Sequence, residues 1–331
     1  MNQFISSLTG KPYDVNIEAF LLSFLSPTSP GTNYWDSPTN ANLTGLTERE
    51  ILRISLQVSE ILKFIELFPL LHNQQSSFLD VGTGNGLVPH LLSRILLEMN
   101  ILGIDPFLHG GHHTSWQNSD LNKEIENCVH HFNQNASLKY TASLQAVNNY
   151  GEHCVYLHDY IAKHPDCKFD YVYCKAIEHV PDWISFAADL CSVVDEGGLL
   201  MIKHRSFYSY LGPHRYSTTG IPWGHCLLSD DDYREYSGSF HSNRNLDMDN
   251  FYFSSLSYPR MTNRELFDVV NKNGLELVSN VSSLPKYYSR QLELLPKYTS
   301  YLQDALTCHP SLTLDEMLSG TYTFVFRKIY Q

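Results

Sequence analysis

Gly82, Gly84 and Gly86 follow directly on the apolar run Ser77–Val81, and Asp80 stands two positions before the first of them. Glycines so placed allow a tight turn and let the backbone approach a ligand closely, at the positive end of the helix that should come next. That is chemistry for a nucleotide-like cofactor. A dinucleotide fingerprint would need its third glycine at position 87, which is Leu87, and no lysine follows as a phosphate-cradling loop requires. Two further acids extend the pattern. Asp105 closes the next apolar run, Asn100–Ile104, where a carboxylate can accept from both hydroxyls of a ribose. Asp159 with Tyr160, in His158-Asp159-Tyr160, ends a third run, where an acid can receive an exocyclic adenine amine. Together they ask for an adenosine without a pyrophosphate.

The elements that must hold these residues are short apolar strands alternating with helical stretches, the pattern of a parallel sheet covered on both faces. Expected strands are Ser77–Val81, Asn100–Ile104, Cys154–Leu157, Tyr171–Cys174, Leu199–Lys203, Leu275–Asn280 and Tyr322–Arg327. Expected helices between them are Leu87–Met99, Leu121–Phe132, Trp183–Val194 and Asn263–Asn273, with turns at Gly197-Gly198 and Asn273-Gly274. Residues 1–75 read as a mainly helical segment. Asp14–Ser26 is apolar at helical spacing, and Glu48–Leu71 follows the capping box Thr47-Glu48-Arg49-Glu50. Between them the Pro-rich stretch 26–38, with Tyr34 and Trp35, reads as a lid that reaches the substrate. Two connections, about 106–150 and 204–261, are too long for minimal crossovers and read as ordered insertions capping a pocket.

This arrangement resembles the class I S-adenosylmethionine-dependent methyltransferases, in which a strand, a glycine loop and a helix carrying Asp-x-Gly-x-Gly-x-Gly wrap the cofactor's amino-acid end. The likeness runs from about Ser76 to the C-terminus, with later marks in the family's order. Phe169-Asp-Tyr-Val-Tyr-Cys-Lys-Ala-Ile-Glu-His-Val-Pro-Asp-Trp183 is similar to the fourth strand and its turn. Val194-Asp-Glu-Gly-Gly-Leu-Leu-Met-Ile202 looks like the entry to the fifth, and Gly320-Thr-Tyr-Thr-Phe-Val-Phe-Arg-Lys328 like the antiparallel seventh, paired between the fifth and sixth. The resemblance implies a doubly wound, seven-stranded, mostly parallel sheet of the Rossmann-like methyltransferase kind in residues 76–331, with N-terminal helices and the two insertions as caps. It also implies S-adenosyl-L-methionine as cofactor. Asp80, Gly82, Gly84 and Gly86 would meet the methionine moiety, Asp105 the ribose, and Asp159 with Tyr160 the adenine. No family motif reads the acceptor.

Methyl transfer from a sulfonium is an in-line displacement, so the chain chiefly has to align the acceptor, and a hydroxyl or ammonium acceptor must also lose a proton. Histidine is the usual base, which makes His179, His204 and His225 the catalytic candidates. His179 follows Glu178 at the rim of the fourth strand, where the structural alternative is a hydrogen-bonded turn. Lys175, on the same strand end, could hold a substrate carboxylate. The stretch 204–225 combines cations for an anionic acceptor with aromatics that exclude water: Arg205, His214, Arg215, Tyr216 and Trp223 are substrate candidates, their alternative being a packed loop. His109, His112 and His113 are spaced loosely for a metal, and glycine-flanked histidines are more often polar loop residues, so no metal is assigned.

Composition narrows the class. The 331 residues are 43% hydrophobic, enough for a sizeable core, and the formal charge of −12 would repel a phosphate backbone or an anionic membrane. Seven scattered cysteines without a paired motif suit a reducing cytoplasm, and the sequence shows neither a leader pattern nor an apolar run long enough for a span. The leading expectation is a cytoplasmic methyltransferase of a small-molecule acceptor, with O-methylation ahead of N- or S-methylation, and with neither nucleic acid nor membrane as partner. The alternative is a non-catalytic nucleoside-binding or interaction module, its N-terminal helices forming a homodimer face. A nicotinamide-dependent oxidoreductase is disfavoured by Leu87.

Overall fold

The computed structural model describes residues 2–15, 46–70, 76–108, 120–135, 139–145, 147–210, 212, 217–241, 245–250, 252–253, 259–284 and 288–330. Its centre is a sheet of seven strands: β3 (Ser77–Val81), β4 (Asn100–Ile104), β5 (Tyr150–His153), β6 (Phe169–Cys174), β7 (Val194–His204), β8 (Leu275–Ser282) and β9 (Tyr322–Lys328). The spatial order is β5-β4-β3-β6-β7-β9-β8, parallel throughout except β9, which runs antiparallel to both β7 and β8. The expected fold is therefore the observed one, with the chain's direction of travel reversing beside β3. Sheets of this kind open a crevice at such a switch point, at the carboxyl ends of the strands.

Both faces of the sheet's middle are covered, which is why its inner strands β3, β6 and β7 are largely apolar, while the edge strands β5 and β8 are partly exposed. Helices α1 (Glu48–Leu67), α2 (Leu87–Ile95) and α3 (Leu121–Asn135) pack Val58, Ile61, Leu91 and Phe132 against Phe78, Tyr171 and Leu199 on one face. Helix α4 (Leu157–Lys163), α5 (Trp183–Ser192) and a later helix, Asn263–Lys272, pack on the other, over Leu79, Val81, Val172 and Leu200. Successive strand side chains alternate in direction, so Asp80 shares the α1 face with Phe78.

A third buried cluster forms a cap. The antiparallel pair β1 (Asn2–Ile5) and β2 (Pro12–Val15) places Phe4 and Tyr13 against the short helix α6 (Gly224–Leu227), α7 (Asp230–Phe240) and α8 (Asn245–Asn250). The helix of residues 263–272 is α9, and α10 (Tyr288–Cys308) and α11 (Leu314–Leu318) complete the layer. Trp223 is its centre: it is fully buried, its indole N–H donates to the Met317 carbonyl at 3.1 Å, and its ring meets Tyr210 edge-on at 5.0 Å. Burying an aromatic of this size contributes several kcal/mol, on the order of 3–5 by comparison with aromatic-to-alanine truncations.

Several expectations shift. Residues 2–15 form two strands rather than part of a helical segment, and Asp14 with Val15 lies in β2; the remainder of the expected helix, 16–26, and the stretch 26–38 lie outside the described residues. The capping box stands as read, with Glu50 N–H donating to Thr47 Oγ1 and Thr47 N–H to Glu50 Oε2. The third sheet strand is Tyr150–His153, not Cys154–Leu157, and Leu157 opens α4. The run Tyr-Gly-Glu-His is half polar because β5 is an edge strand, while the apolar residues that follow enter a helix. Gly197 and Gly198 lie inside β7 rather than before it. Among the described residues no helix is long and apolar enough to cross a membrane.

Candidate functional site

The glycine loop leaves β3 at the sheet's carboxyl edge. Gly82, Gly84 and Gly86 have φ of 77°, 65° and 74°, the left-handed region in which a side chain is strained. Two of them differ instructively in their surroundings. A β-carbon on Gly82 would sit 2.2 Å from the Ala176 β-carbon, whereas one on Gly84 would meet no atom within 4 Å. The first glycine thus packs the loop onto the turn after β6, and the second faces open space. Gly82 N–H donates to the Ile104 carbonyl at 2.8 Å, which ties the loop to β4, and Gly86 caps α2.

Two carboxylates flank this loop, as expected. Asp80 is 2% exposed and its Oδ2 has no hydrogen-bond partner. Burial pushes its pKa up to about 7; Asp105 adds to the rise, while Thr83 and the Lys175 charge oppose it. Asp105 braces the crevice: its Oδ2 accepts from Gly84 N–H at 2.8 Å and its Oδ1 from Phe107 N–H at 2.7 Å. Near this carboxylate stand two exposed rings that are not among the candidates read from the sequence. Phe107 and Tyr156 are 53% and 50% exposed, with centroids 6.4 Å apart and planes at 80°. Each lies three residues beyond a strand end, the signal by which they could have been found.

Asp159 and Tyr160 stand in a helix rather than at the strand end expected for them. With the strand ending at His153, Asp159 falls in the first turn of α4, half exposed, 3.4 Å from His158 Nε2. Tyr160 is buried with its hydroxyl 3.4 Å from Cys167 Sγ, and burial raises its pKa.

A second group gathers at the tips of β6 and β7. Glu178 lies in the single turn Ile177–His179, where its Oε2 accepts from Arg205 N–H at 2.7 Å and stands 3.7 Å from His204 Nδ1; its Oε1 is 3.9 Å from His179 Nε2. Burial alone would raise the Glu178 carboxyl, but His204, Arg205 and His179 hold it below its usual range. His204 is 1% exposed and neither ring nitrogen has a hydrogen-bond partner. A carboxylate beside a buried imidazole can orient the ring for proton transfer. On the α1 side of the same strand ends, Lys175 Nζ donates to Gln57 Oε1 at 3.0 Å, Lys203 pairs with Glu60, and the Tyr173 hydroxyl is buried without a partner.

His225 is placed elsewhere. It lies in the cap, 4% exposed, edge-on to Phe207 at 5.4 Å and pressed against Gly212, and burial pushes its pKa down to about 3. Trp223 likewise fills the cap core rather than an open pocket, the packed-loop alternative of the sequence reading. Tyr34, Trp35, His214, Arg215 and Tyr216 lie outside the described residues, as do His109, His112 and His113. Among the described residues no three His, Cys, Asp or Glu side chains gather in a way that could hold a metal ion.

Comparison with known proteins agrees with this geometry. A family model described as a methyltransferase domain matches residues 53–280, a span that takes in the glycine loop, both carboxylates and the Glu178 turn. No curated protein matches the chain. Solved structures with a similar fold include the magnesium protoporphyrin IX methyltransferase of Synechocystis with bound S-adenosylhomocysteine, 12% identical, covering 86% of this chain and 89% of that one, TM-score 0.41. Others are the cyclopropane synthase MmaA2 of Mycobacterium tuberculosis, 15% identical over 94% of each chain, TM-score 0.40, and the N-methyltransferase NodS of Bradyrhizobium japonicum, 8% identical over 86% and 100%, TM-score 0.38.

Proposed function

The chain belongs to the methyltransferase domain family, and from that premise we propose that it methylates a small-molecule acceptor at oxygen, with nitrogen or sulfur the next choices. Its cofactor is S-adenosylmethionine, which supplies an electrophilic methyl on sulfur. The chain's own residues fit that group. Asp80 offers an unpaired buried carboxyl to an ammonium, Gly84 leaves open space above the loop, and Phe107 with Tyr156 offers two ring surfaces to a flat base. Asp105, held by the two amides it accepts from, offers its carboxylate to the ribose hydroxyls.

The observation that carries the choice of acceptor chemistry is the Glu178–His204 pair. A hydroxyl becomes an effective nucleophile as its proton leaves, and His204 is a base without competing partners. Glu178, 3.7 Å away, stabilises the imidazolium that results and fixes the ring's orientation. His179, 37% exposed at the same turn, stands at the rim. Water has little access to this proton transfer, since His204 is itself almost fully buried. A small acceptor fits the acidic surface better than nucleic acid does, since a charge of −12 repels phosphate. The seven cysteines are all unpaired thiols, in keeping with action in the cytoplasm.

The test is transfer of labelled methyl from S-adenosylmethionine into cell extract, followed by separation into small-molecule, protein and nucleic-acid fractions. Label is expected in the small molecules, on an alkali-stable ether or a base-labile ester. Label confined to nucleic acid or protein would contradict the proposal.

A further inference from the structure

Lys175 leaves the tip of β6 on the α1 face and donates to the neutral amide of Gln57 at 3.0 Å. Among the described residues no carboxylate lies within ion-pair distance of it. Its neighbours deepen the deficit: burial first, then the charges of Lys203 and Arg53, lower its pKa, and the carboxylate of Glu60 is already engaged by Lys203 and Thr323. A half-buried cation with only a neutral partner lacks an anion.

One strand away on the same face, Asp80 has the opposite deficit, a buried carboxyl with an unpartnered oxygen. The Lys175 charge is felt at Asp80, yet the two do not pair. Between them the loop and the turn interlock, because the Ala176 β-carbon occupies the space a Gly82 side chain would need. Opposite charges on either side of a floor of backbone and a methyl group match the two ends of an α-amino acid.

We propose that Lys175 binds the α-carboxylate of the cofactor's amino-acid end, and that with Asp80 on the ammonium it forms a receptor for a zwitterion. This rests on the cofactor reading given above and moves Lys175 from the acceptor to the cofactor. It also means that the demethylated product, which keeps both charged groups, is retained by the same two residues.

The test is calorimetric titration of the intact chain and of Lys175→Met with two ligands: S-adenosylhomocysteine, and its decarboxylated analogue, which keeps the ammonium but lacks the carboxylate. The wild type should prefer the carboxylate-bearing ligand, and Lys175→Met should lose about 10–100-fold of affinity for it, the size of a charge-assisted hydrogen bond, while binding the analogue unchanged. Lys175→Arg should keep the preference. An equal loss for both ligands, or a thermal midpoint lowered in step with affinity, would make Lys175 a structural residue and overturn the proposal. Unchanged affinity for S-adenosylhomocysteine with a raised acceptor KM would overturn it in favour of an acceptor carboxylate. A wild type that bound neither ligand would strike the cofactor reading itself, a result distinct from one that binds both without discrimination.

Discussion

At the scale of single residues, Asp80 makes a prediction with a definite sign. Its pKa rises from 3.8 to about 7 on folding, so between those values the folded chain holds a proton that the unfolded chain has released. Stability contributed by this site therefore falls as pH rises through that window, and the full cost stands above pH 7. Asp80→Asn is expected to stabilise the ligand-free protein by roughly 2–4 kcal/mol near pH 8 and by little near pH 4, read from thermal midpoints. A midpoint difference that did not change with pH would contradict it. The same carboxylate must ionise to receive an ammonium, so cofactor affinity should fall about tenfold per pH unit below 7 in the wild type and lose that slope in Asp80→Asn. For the proton transfer, His204→Gln should lower kcat by about 10²–10⁴ without weakening cofactor binding, and Glu178→Gln should shift the pH–rate profile. An unchanged rate in both would indicate an acceptor that arrives already nucleophilic. The acids at 80 and 105 stood out in the sequence because one interrupts an apolar run just before the glycines and the other follows directly on the next run. The pairing of Glu178 with His204 was not, since it joins residues 26 positions apart that only the parallel register of β6 and β7 brings together.

At the scale of elements, the glycine loop is positioned by what it cannot hold. Gly82→Ala would place a methyl group 2.2 Å from Ala176 on a backbone with φ of 77°, and should prevent the loop from docking on the β6 turn. Gly84→Ala meets no atom and should cost about 1 kcal/mol of stability for its φ alone, while obstructing the crevice. Comparing the two by urea denaturation checks the assignment: similar losses would mean the loop does not pack as described. The sheet itself was legible because buried parallel strands are plainly apolar, and six of the seven expected strands fall on observed ones. The failure at β5 has a physical cause. An edge strand is buried on one side only, so Tyr150–His153 carries polar residues, and the apolar residues after it belong to the turn and helix. The shift puts Asp159 in a helix rather than at a strand end, and Phe107 and Tyr156, three residues beyond their strands, went unnoticed. The N-terminal strands were missed for a related reason: Phe4 and Tyr13 are buried against distant helices, a contact that local periodicity does not report.

At the scale of the whole molecule, three buried clusters divide the work: two sandwich the sheet, and the third, rich in tyrosine, caps its carboxyl edge. The insertion after β7 was read from the sequence as an ordered cap whose first part lines a pocket; of its described candidates, Trp223 fills the cap's buried cluster and His225 packs on Phe207. Trp223→Ala should cost about 3–5 kcal/mol and loosen the cap before the sheet, seen as a separate early transition in thermal unfolding. S-adenosylmethionine is proposed to bind in the crevice beside the glycine loop, Asp105 and the Phe107 and Tyr156 rings. Amide hydrogen exchange with and without S-adenosylhomocysteine tests it most directly. Slowed exchange is predicted at residues 82–87, 105–108 and 154–158. Protection confined to the cap or to the β8 edge, with that crevice exchanging as fast as before, would contradict it.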